Sequence, residues 1–519
     1  MTRPSARVIT EPLGGSALSQ AVQAGTLPRD LRAHAPRDVT EWQRHVTNAR
    51  RSNWLSPLAP AMAASGAAAA RLGRAGVDGV VVTTGQQAGV FGGPLYTLSK
   101  ALTAIALANA IEREFDVPAA PVFWAATDDA DFLEASLVHL ADVDGLHEVR
   151  LTNAPPPGTI MAHAPLGDTR RALAQLRAAC GSAAHAEYLE IVHSAFSGAR
   201  SIGDAYVMLM REILEPLGMA VLDSSHAAYR QTARPLLLDA LGRSWDIASA
   251  LSETAARIRA NGFEPQVQDE RGLSLVFEIT NGVKRRISVA EAADAAQGDT
   301  DLAPNVLLRP VAERAILPTV AYVAGPGELA YFAQSNAVAD ALEQPRVVGV
   351  PRWSATIIEP FVERALARLQ VPWTDLRDVH ALERRLALAS IPPGVAAAWK
   401  ELREETDAGV RKVVSAVRSE ALLPDEVLEG LRRGLQHRLA RGERRLLAAA
   451  KRRNTEVRKD LTAAGAALFP LGKRQERVLN FIPMLARGGS ALRDDMLMAT
   501  DDHVRGLLGV DRAASVATR

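Results

Sequence analysis

Apolar residues along the chain follow two alternating rhythms. Short β-branched runs without helical spacing alternate with longer stretches at three- and four-residue spacing. Residues 77–84 (VDGVVVTT) centre on Val80, Val81 and Val82 and predict a buried strand. The segment GQQAGVFGGP follows, and from Pro94 a helix is expected with Leu95, Leu98, Leu102 and Ile105 on one face. Proline suits the first helical position there. Residues 121–126 (PVFWAA) predict a second strand that runs into the acidic turn TDDADF. Residues 219–222 predict a third, ending in DSSH, and 318–324 a fourth, ending in GPGE before a helix through Asp340. A fifth is expected over 346–350. Strands alternating with helices predict an α/β fold with a mostly parallel, doubly wound sheet. Ligands of such sheets sit outside the carboxyl ends of the strands, where the three most polar or glycine-rich turns of this chain fall.

Two segments interrupt the core, which is expected over 76–144, 201–244 and 316–374. Residues 145–200 contain APPPG and read as a surface connection into a first insert. Residues 245–315 form a second insert with a hairpin, LSLVFEIT and VKRRISV joined by Asn281-Gly282, the preferred two-residue hairpin turn. Residues 1–75 read as helical packing material. From 375 to 519 the chain becomes helical and charged, with long helices over 399–420 and 425–461 separated by Leu423-Pro424. In the second, Leu428, Leu431, Leu435, Leu439, Leu446 and Val457 recur at three- and four-residue steps or their multiples. This spacing predicts an antiparallel helical hairpin or coiled-coil arm. Lys451, Arg452 and Arg453 belong to its solvated face.

Composition narrows the classes. A chain of 519 residues accommodates two to four domains at roughly 100–200 residues each. Apolar residues at 48% and charged residues at 23% describe a globular protein. Sixty basic against 59 acidic side chains, a net charge of +1, argue against a nucleic-acid partner. No run of ~18 strongly apolar residues exists to span a membrane. The opening MTRPSARVITEPLGG lacks the apolar core of a secretion signal, and SVATR is no lipidation box. A single cysteine, Cys180, excludes internal disulfides and reads as an incidental thiol. The eleven histidines form no HExxH-type pair, so zinc is not expected. A cytoplasmic protein is the expectation.

Three turns carry candidate chemistry. The loop 85–94 joins a strand to a helix N-terminus, where free N–H groups and the helix dipole favour an anion. Gly85, Gly89, Gly92 and Gly93 allow close backbone approach, and Gln86 and Gln87 offer neutral amides. The loop is neither GxGxxG nor a Walker sequence; the alternative is a tight structural turn. The acidic turn Thr127, Asp128, Asp129, Asp131 suits a general base, or Mg2+ held with nucleotide phosphates. Its alternative is an N-cap in a solvated loop. Gly325, Gly327 and Glu328 form either a ligand wall or a glycine turn whose glutamate suits the helix dipole.

Four blocks extend this reading: TTGQQAGVFGGPLYTLSKA, PVFWAATDDADFLEA, PNVLLRPVAERAILPTVAYVAGPGELAYFAQ and RQERVLNFIPMLARGG. In this order, across residues 83–489, they resemble the bacillithiol biosynthesis cysteine-adding enzyme family (BshC). The resemblance implies a Rossmann-like core with two connecting inserts and a C-terminal α-helical coiled-coil domain, with homodimerisation through that domain. It implies a ligase that joins the carboxyl group of L-cysteine to the amine of glucosaminyl-malate. Amide formation from a free carboxylate is uphill in water, so ATP is the expected energy source, with Mg2+ as a possible companion. Carried onto this chain, the family's motifs give Asp128 and Asp131 as catalytic carboxylates. Gly85, Gln86, Gln87, Gly92, Gly93, Tyr96, Asp129, Gly325, Gly327 and Glu328 are the implied substrate contacts. Arg474, Gln475, Arg477 and Asn480 either contact nucleotide or pin the helical arm. One departure stands out. The family's Glu-Asp-His-Asp is replaced by Asp128, Asp129, Ala130, Asp131, and Ala135, Ser136 and Leu137 follow Glu134 where the family has Asn-His after a Glu-Ile pair. This leaves open a catalytically degenerate binder of the sugar-malate or thiol product, or a ligase for a different amino acid.

Overall fold

The computed structural model describes residues 5–32, 35–268 and 272–510; the first four residues and the C-terminal SVATR segment lie outside the described residues. The chain divides into two compact units. One is built from the residues up to Leu140, from His147 to Glu359 and from Arg474 onward; the other comprises Ala141–Leu146 and Pro360–Lys473.

The first unit holds the sheet. Its labelled strands are β1 Val80–Gln87, β2 Ala119–Ala126 and β3 Ala220–Asp223. Then come β4 Leu273–Thr280, β5 Val283–Ser288 and β6 Asp301–Pro304, followed by β7 Thr319–Ala324 and β8 Gly349–Pro351. Five of them form one parallel sheet in the order β8-β7-β1-β2-β3. Val80, Val81, Val82, Val122, Phe123 and Trp124 are buried, as strands covered on both faces require. The doubly wound architecture expected from the alternation is the one observed.

Boundaries move in ways that matter for the site. Gly85, Gln86 and Gln87 pair with Trp124, Ala125 and Ala126, so the first part of the expected loop is strand. Val77 and Asp78 instead close the preceding helix Gly66–Asp78. Helix α1, Leu95–Phe115, has Pro94 at its cap position and not as its first helical residue. Nor does α1 have one apolar face. Alanines at 101, 104, 106, 108 and 110 let it be buried on nearly every side. The N-terminal segment is mostly helical, but Arg7–Thr10 is a strand paired antiparallel with Ala355–Ile358. Val8 and Ile9 supply its short apolar signal, easily lost between arginine and proline neighbours.

The second insert forms a three-stranded antiparallel sheet, β5-β4-β6. Asn281 (φ 52°) and Gly282 (φ 77°) both adopt positive φ, as the tight hairpin turn demands. From the first insert, residues 158–164 bridge this hairpin to the acidic turn. Lys284 N–H donates to the Gly158 carbonyl (2.8 Å) and Ile160 N–H to that of Gly282 (2.9 Å). Met161 and Ala162 donate to the carbonyls of Asp129 (2.8 Å) and Thr127 (2.9 Å). Three further helices complete the frame: α2 Arg309–Ile316, α3 Pro326–Ala341 and α4 Ile482–Leu508. Helix α4 packs against α1 in this unit, although residues 375–519 had read as one helical segment.

The second unit is helical. Pro393–Ser419 and Asp425–Arg453 run antiparallel, with Arg403 paired to Glu443 and Arg418 to Asp425. Asn454 separates the latter helix from Thr455–Leu468, so the expected 425–461 helix is two. Among the described residues no helix is long and apolar enough to cross a membrane.

The sheet leaves no room beside Gly85. A Cβ there would lie 2.9 Å from Trp124 Cβ and 3.0 Å from its carbonyl oxygen. Gly85→Ala is expected to destabilise the protein by about 1–3 kcal/mol in urea unfolding. A change below about 0.5 kcal/mol, the range of a surface substitution, would show that β1 and β2 can separate there without cost.

Candidate functional site

The carboxyl ends of β1, β2 and β7 open into a cavity of about 760 Å3. Gly85, Gln86, Gln87, Tyr96, Asp128, Asp129, Gly325, Gly327, Glu328 and Arg477 all line it, so the structure gathers ten of the sequence-derived site residues. Phe277, Lys284 and Arg286 of the insert hairpin form a further wall with Pro304, Asn305 and Val306. This position obeys the rule for open α/β sheets, since loops that leave strand ends converge there while the helices cover both faces.

One side of the cavity is a chain of buried charges. Lys100, on α1, donates to the Gly85 carbonyl (2.8 Å) and to Gln86 Oε1 (3.4 Å), and pairs with Glu328 Oε2 at 2.6 Å. Burial pulls the Lys100 ammonium pKa down, and the Glu328 carboxylate opposes that pull. Glu328 also accepts from Gly325 N–H (2.7 Å) and Tyr322 OH (2.8 Å), which ties the start of α3 to β7. Arg309, on α2, donates to Tyr322 OH (2.9 Å) and pairs with Glu313 (3.2 Å). Arg352 is fixed by two 2.7 Å bonds to the Glu476 carboxylate. Gln86 donates to Tyr96 OH (3.2 Å), and burial pushes that phenol up to about 12.

The other side is acidic. Asp128 is buried, accepts from Ser224 Oγ and faces Lys284 Nζ at 3.4 Å. Asp129 accepts from Gln87 Nε2 and from Ala130 N–H (2.8 Å). Burial first, and the Asp128 charge second, raise the Asp129 carboxyl above the ordinary carboxylate range; Lys284, the Ala130 N–H and Gln87 pull the other way. Glu134 is also raised, by burial and then by Asp131 and Asp129. Ala130 contributes only a methyl group to this wall. The cavity thus collects six cationic side chains (Lys100, Lys284, Arg286, Arg309, Arg352, Arg477) and four carboxylates (Asp128, Asp129, Glu134, Glu328). Such a surface suits polar ligands that carry both amine and carboxylate groups. Trp124 adds a buried indole N–H without a protein partner.

The remaining sequence-derived residues sit elsewhere. Asp131 is exposed and caps the short helix Phe132–Ala135 by accepting from Glu134 N–H (3.0 Å). Gly92 (φ 86°) is glycine because a Cβ would meet Phe481 Cζ at 2.7 Å, and Gly93 (φ 79°) also turns through the left-handed region. Neither lines the cavity. Asn480 holds that loop by donating to the carbonyls of Phe91 (2.8 Å) and Gly93 (2.7 Å). Gln475 pairs with both backbone groups of Ile357, and Arg474 bonds to the Pro12 and Leu13 carbonyls. Of these four polar residues only Arg477 faces the cavity. The N-terminus of α1 is also committed to the protein itself: Leu95 N–H donates to the Leu479 carbonyl (2.8 Å) and Thr97 N–H to that of Pro94 (2.9 Å). The anion-favouring groups of this site are therefore side-chain cations and not that helix mouth.

Sequence reasoning missed Lys100, Lys284, Arg286, Arg309 and Arg352. A signal existed for two of them. In VKRRIS the strand alternation puts Lys284 and Arg286 on one face and Arg285 on the other. Lys100, Arg309 and Arg352 gain meaning only from partners distant in sequence. Among the described residues no group of three or more His, Cys, Asp or Glu is arranged to hold a metal ion.

Comparison with known proteins agrees with this architecture. The family description "Bacillithiol biosynthesis BshC, N-terminal Rossmann-like domain" matches residues 61–353, and "Bacillithiol biosynthesis BshC, C-terminal coiled-coil domain" matches 355–505. Three similar curated proteins bear the name "Putative cysteine ligase BshC". That of Solibacter usitatus (strain Ellin6076) is 30% identical over 454 residues, 82% of this chain and 84% of the relative. That of Heliobacterium modesticaldum is 31% identical over 462 residues, 81% of each chain. That of Koribacter versatilis is 28% identical over 483 residues, 87% and 88% of the two chains.

Cys180 lies outside the cavity lining, buried at the end of helix Arg170–Cys180. Burial pushes its thiol up to about 11, against the pull of Arg487. Because the thiolate is the reactive form, native protein at neutral pH is expected to react with Ellman's reagent far more slowly than unfolded protein. Equal rates in the two states would contradict this burial.

Proposed function

The chain belongs to the bacillithiol-biosynthesis BshC family, and on that premise we propose that it joins the carboxyl carbon of L-cysteine to the amine of glucosaminyl-malate in the cavity above β1, β2 and β7. The observation that carries the reading is Asp129, a carboxylate inside that cavity whose proton affinity is raised by burial and by Asp128. An amine reaches neutral solution as an ammonium ion, which the Asp128, Asp129 and Glu134 carboxylates attract. To attack, its nitrogen must lose a proton, and a carboxylate of raised pKa is the better acceptor at neutral pH. Asp129 takes that proton, the free amine then forms the C–N bond, and the second nitrogen proton departs with the activated oxygen that leaves the cysteine carboxyl carbon. Asp128 instead accepts from Ser224 Oγ and pairs with Lys284 Nζ at 3.4 Å.

ATP, when bound, supplies the leaving group that a free carboxylate lacks. Arg477 is the cavity group suited to phosphate oxygens, by its charge; the start of α3 is already occupied, since the Gly325 N–H is bound by Glu328 and Pro326 has no N–H. Mg2+ would then enter on the phosphates, not on a preformed protein cage. The same reading makes this a cytoplasmic homodimer assembled through the helical arm. Its support is the exposure of Leu402, Val413, Val427 and Leu431, between 44% and 52% in the single chain, on the two long helices.

The pH dependence has a definite sign. Asp129 acts as a base only when ionised, so kcat/KM rises with pH through its raised pKa, and the acid limb lies above the ordinary carboxylate range. Asp128→Asn removes the like charge and is expected to move that limb to lower pH. Asp129→Asn is expected to lower kcat about 10²–10⁴-fold while leaving the KM for cysteine nearly unchanged. Activity of Asp129→Asn within a few-fold of the parent protein, read by mass detection of the amide product, would remove Asp129 from the mechanism.

A further inference from the structure

We propose that Lys284 and Arg286, backed by the ring of Phe277, form a two-point clamp for a four-carbon dicarboxylate, the malyl end of the acceptor. The inference rests on the proposed function for the identity of the ligand, but its geometry stands independently. Both cations come from β5, two residues apart, and so project from the same face of the hairpin. Phe277 lies directly across from Arg286 in the β4–β5 register. Lys284 Nζ is 4.6 Å from the ring centroid and Arg286 Cζ 5.1 Å, so one aromatic ring contacts both cations. All three residues line the cavity. The intervening Arg285 belongs to the opposite face and is taken up by Glu278 (2.6 Å) and Glu291 (3.2 Å).

Same-face neighbours on a strand stand about 6.5–7 Å apart. With both cationic ends on one ring, each can take one carboxylate of a short diacid, whereas a monocarboxylate leaves one of those two contacts unmade. The clamp is also pre-organised. Lys284 Nζ is held by the Asp128 carbonyl (3.1 Å) and carboxylate (3.4 Å), and the hairpin tip is pinned to residues 158–160 by two backbone hydrogen bonds. A ligand anchored on Lys284 therefore starts beside Asp128 and has its remaining end within reach of the adjoining Asp129. The two inserts thus set which acceptor enters, while the sheet ends carry the chemistry.

Calorimetric titration of the full-length protein with (S)-malate tests the clamp. The parent protein is expected to bind malate saturably and lactate, with one carboxylate, at least about tenfold more weakly. Lys284→Gln and Arg286→Gln should each weaken malate about 10–100-fold, while Arg285→Gln binds as the parent does. A steep loss of parent affinity with added salt gives a second readout that needs no variant. Malate binding by both glutamine variants equal to the parent overturns the clamp, as does equal affinity for malate and lactate or no saturable binding in the millimolar range. Product formation from cysteine, acceptor and ATP separates the two ideas. Amide product together with unchanged malate affinity in the variants removes the clamp and leaves the ligase reading. No product, with malate binding lost in the variants, does the reverse.

Discussion

The Lys100 ammonium, 3% exposed, sits where three segments of the chain converge. It rises from α1, donates to the carbonyl of Gly85 at the end of β1, and pairs with Glu328 at the start of α3. Glu328 in turn accepts from Gly325 N–H and from Tyr322 of β7. One charge pair thus fixes the spacing between the β1 and β7 strand ends that border the cavity. A buried pair of this kind is weak evidence for net stability, because desolvation offsets much of the attraction. Loss of one partner is different: it strands a charge in the interior at a cost of about 3–5 kcal/mol. The pair is best understood as a positioning device for the site.

The rest of the cavity divides around that anchor. Arg352 with Glu476, and Arg309 with Tyr322 and Glu313, immobilise cations whose donors are already committed. Lys284, Arg286 and Arg477 come from outside the sheet and give the walls their capacity for anionic ligands. Against them stand Asp128, Asp129 and Glu134, drawn from the turn after β2 and the short helix that follows. The acidic wall, which meets the hairpin cations where Lys284 faces Asp128, can receive the ammonium of an amino diacid, and it also contains the base. The hydrogen bonds of residues 158–162 to both the hairpin and the acidic turn keep the two walls in register.

Much of the fold was legible because its determinants are local. The β-branched run at Val80–Val82 and the alternation around Asn281-Gly282 need no knowledge of distant partners. Strand ends and helix faces were less so. Gly85–Gln87 continue as strand because β2 offers a paired edge through Ala126, and α1 is buried all round because α4, from the far end of the chain, covers it. The site split the same way. The glutamines, Asp128, Asp129 and the glycine turn before Glu328 were recognisable by residue type at strand ends. Asp131 was not separable from Asp129 in sequence, since only the backbone path shows that one caps a helix in solvent and the other faces the cavity. Asn480 and Gln475 carry polar groups suited to a nucleotide, yet their hydrogen bonds are spent on Phe91, Gly93 and Ile357, contacts that no spacing rule reveals.

The central claim is that the acceptor amine meets the cysteine carboxyl beside Asp129 in the cavity at the sheet's carboxyl edge. A crystal structure of the protein with glucosaminyl-malate bound tests it most directly. The account predicts the sugar nitrogen within hydrogen-bonding distance of the Asp129 carboxylate, with Gln86 and Gln87 on the same ligand. Acceptor density bound outside this cavity, or inside it with the amine turned away from the acidic wall, would contradict the account.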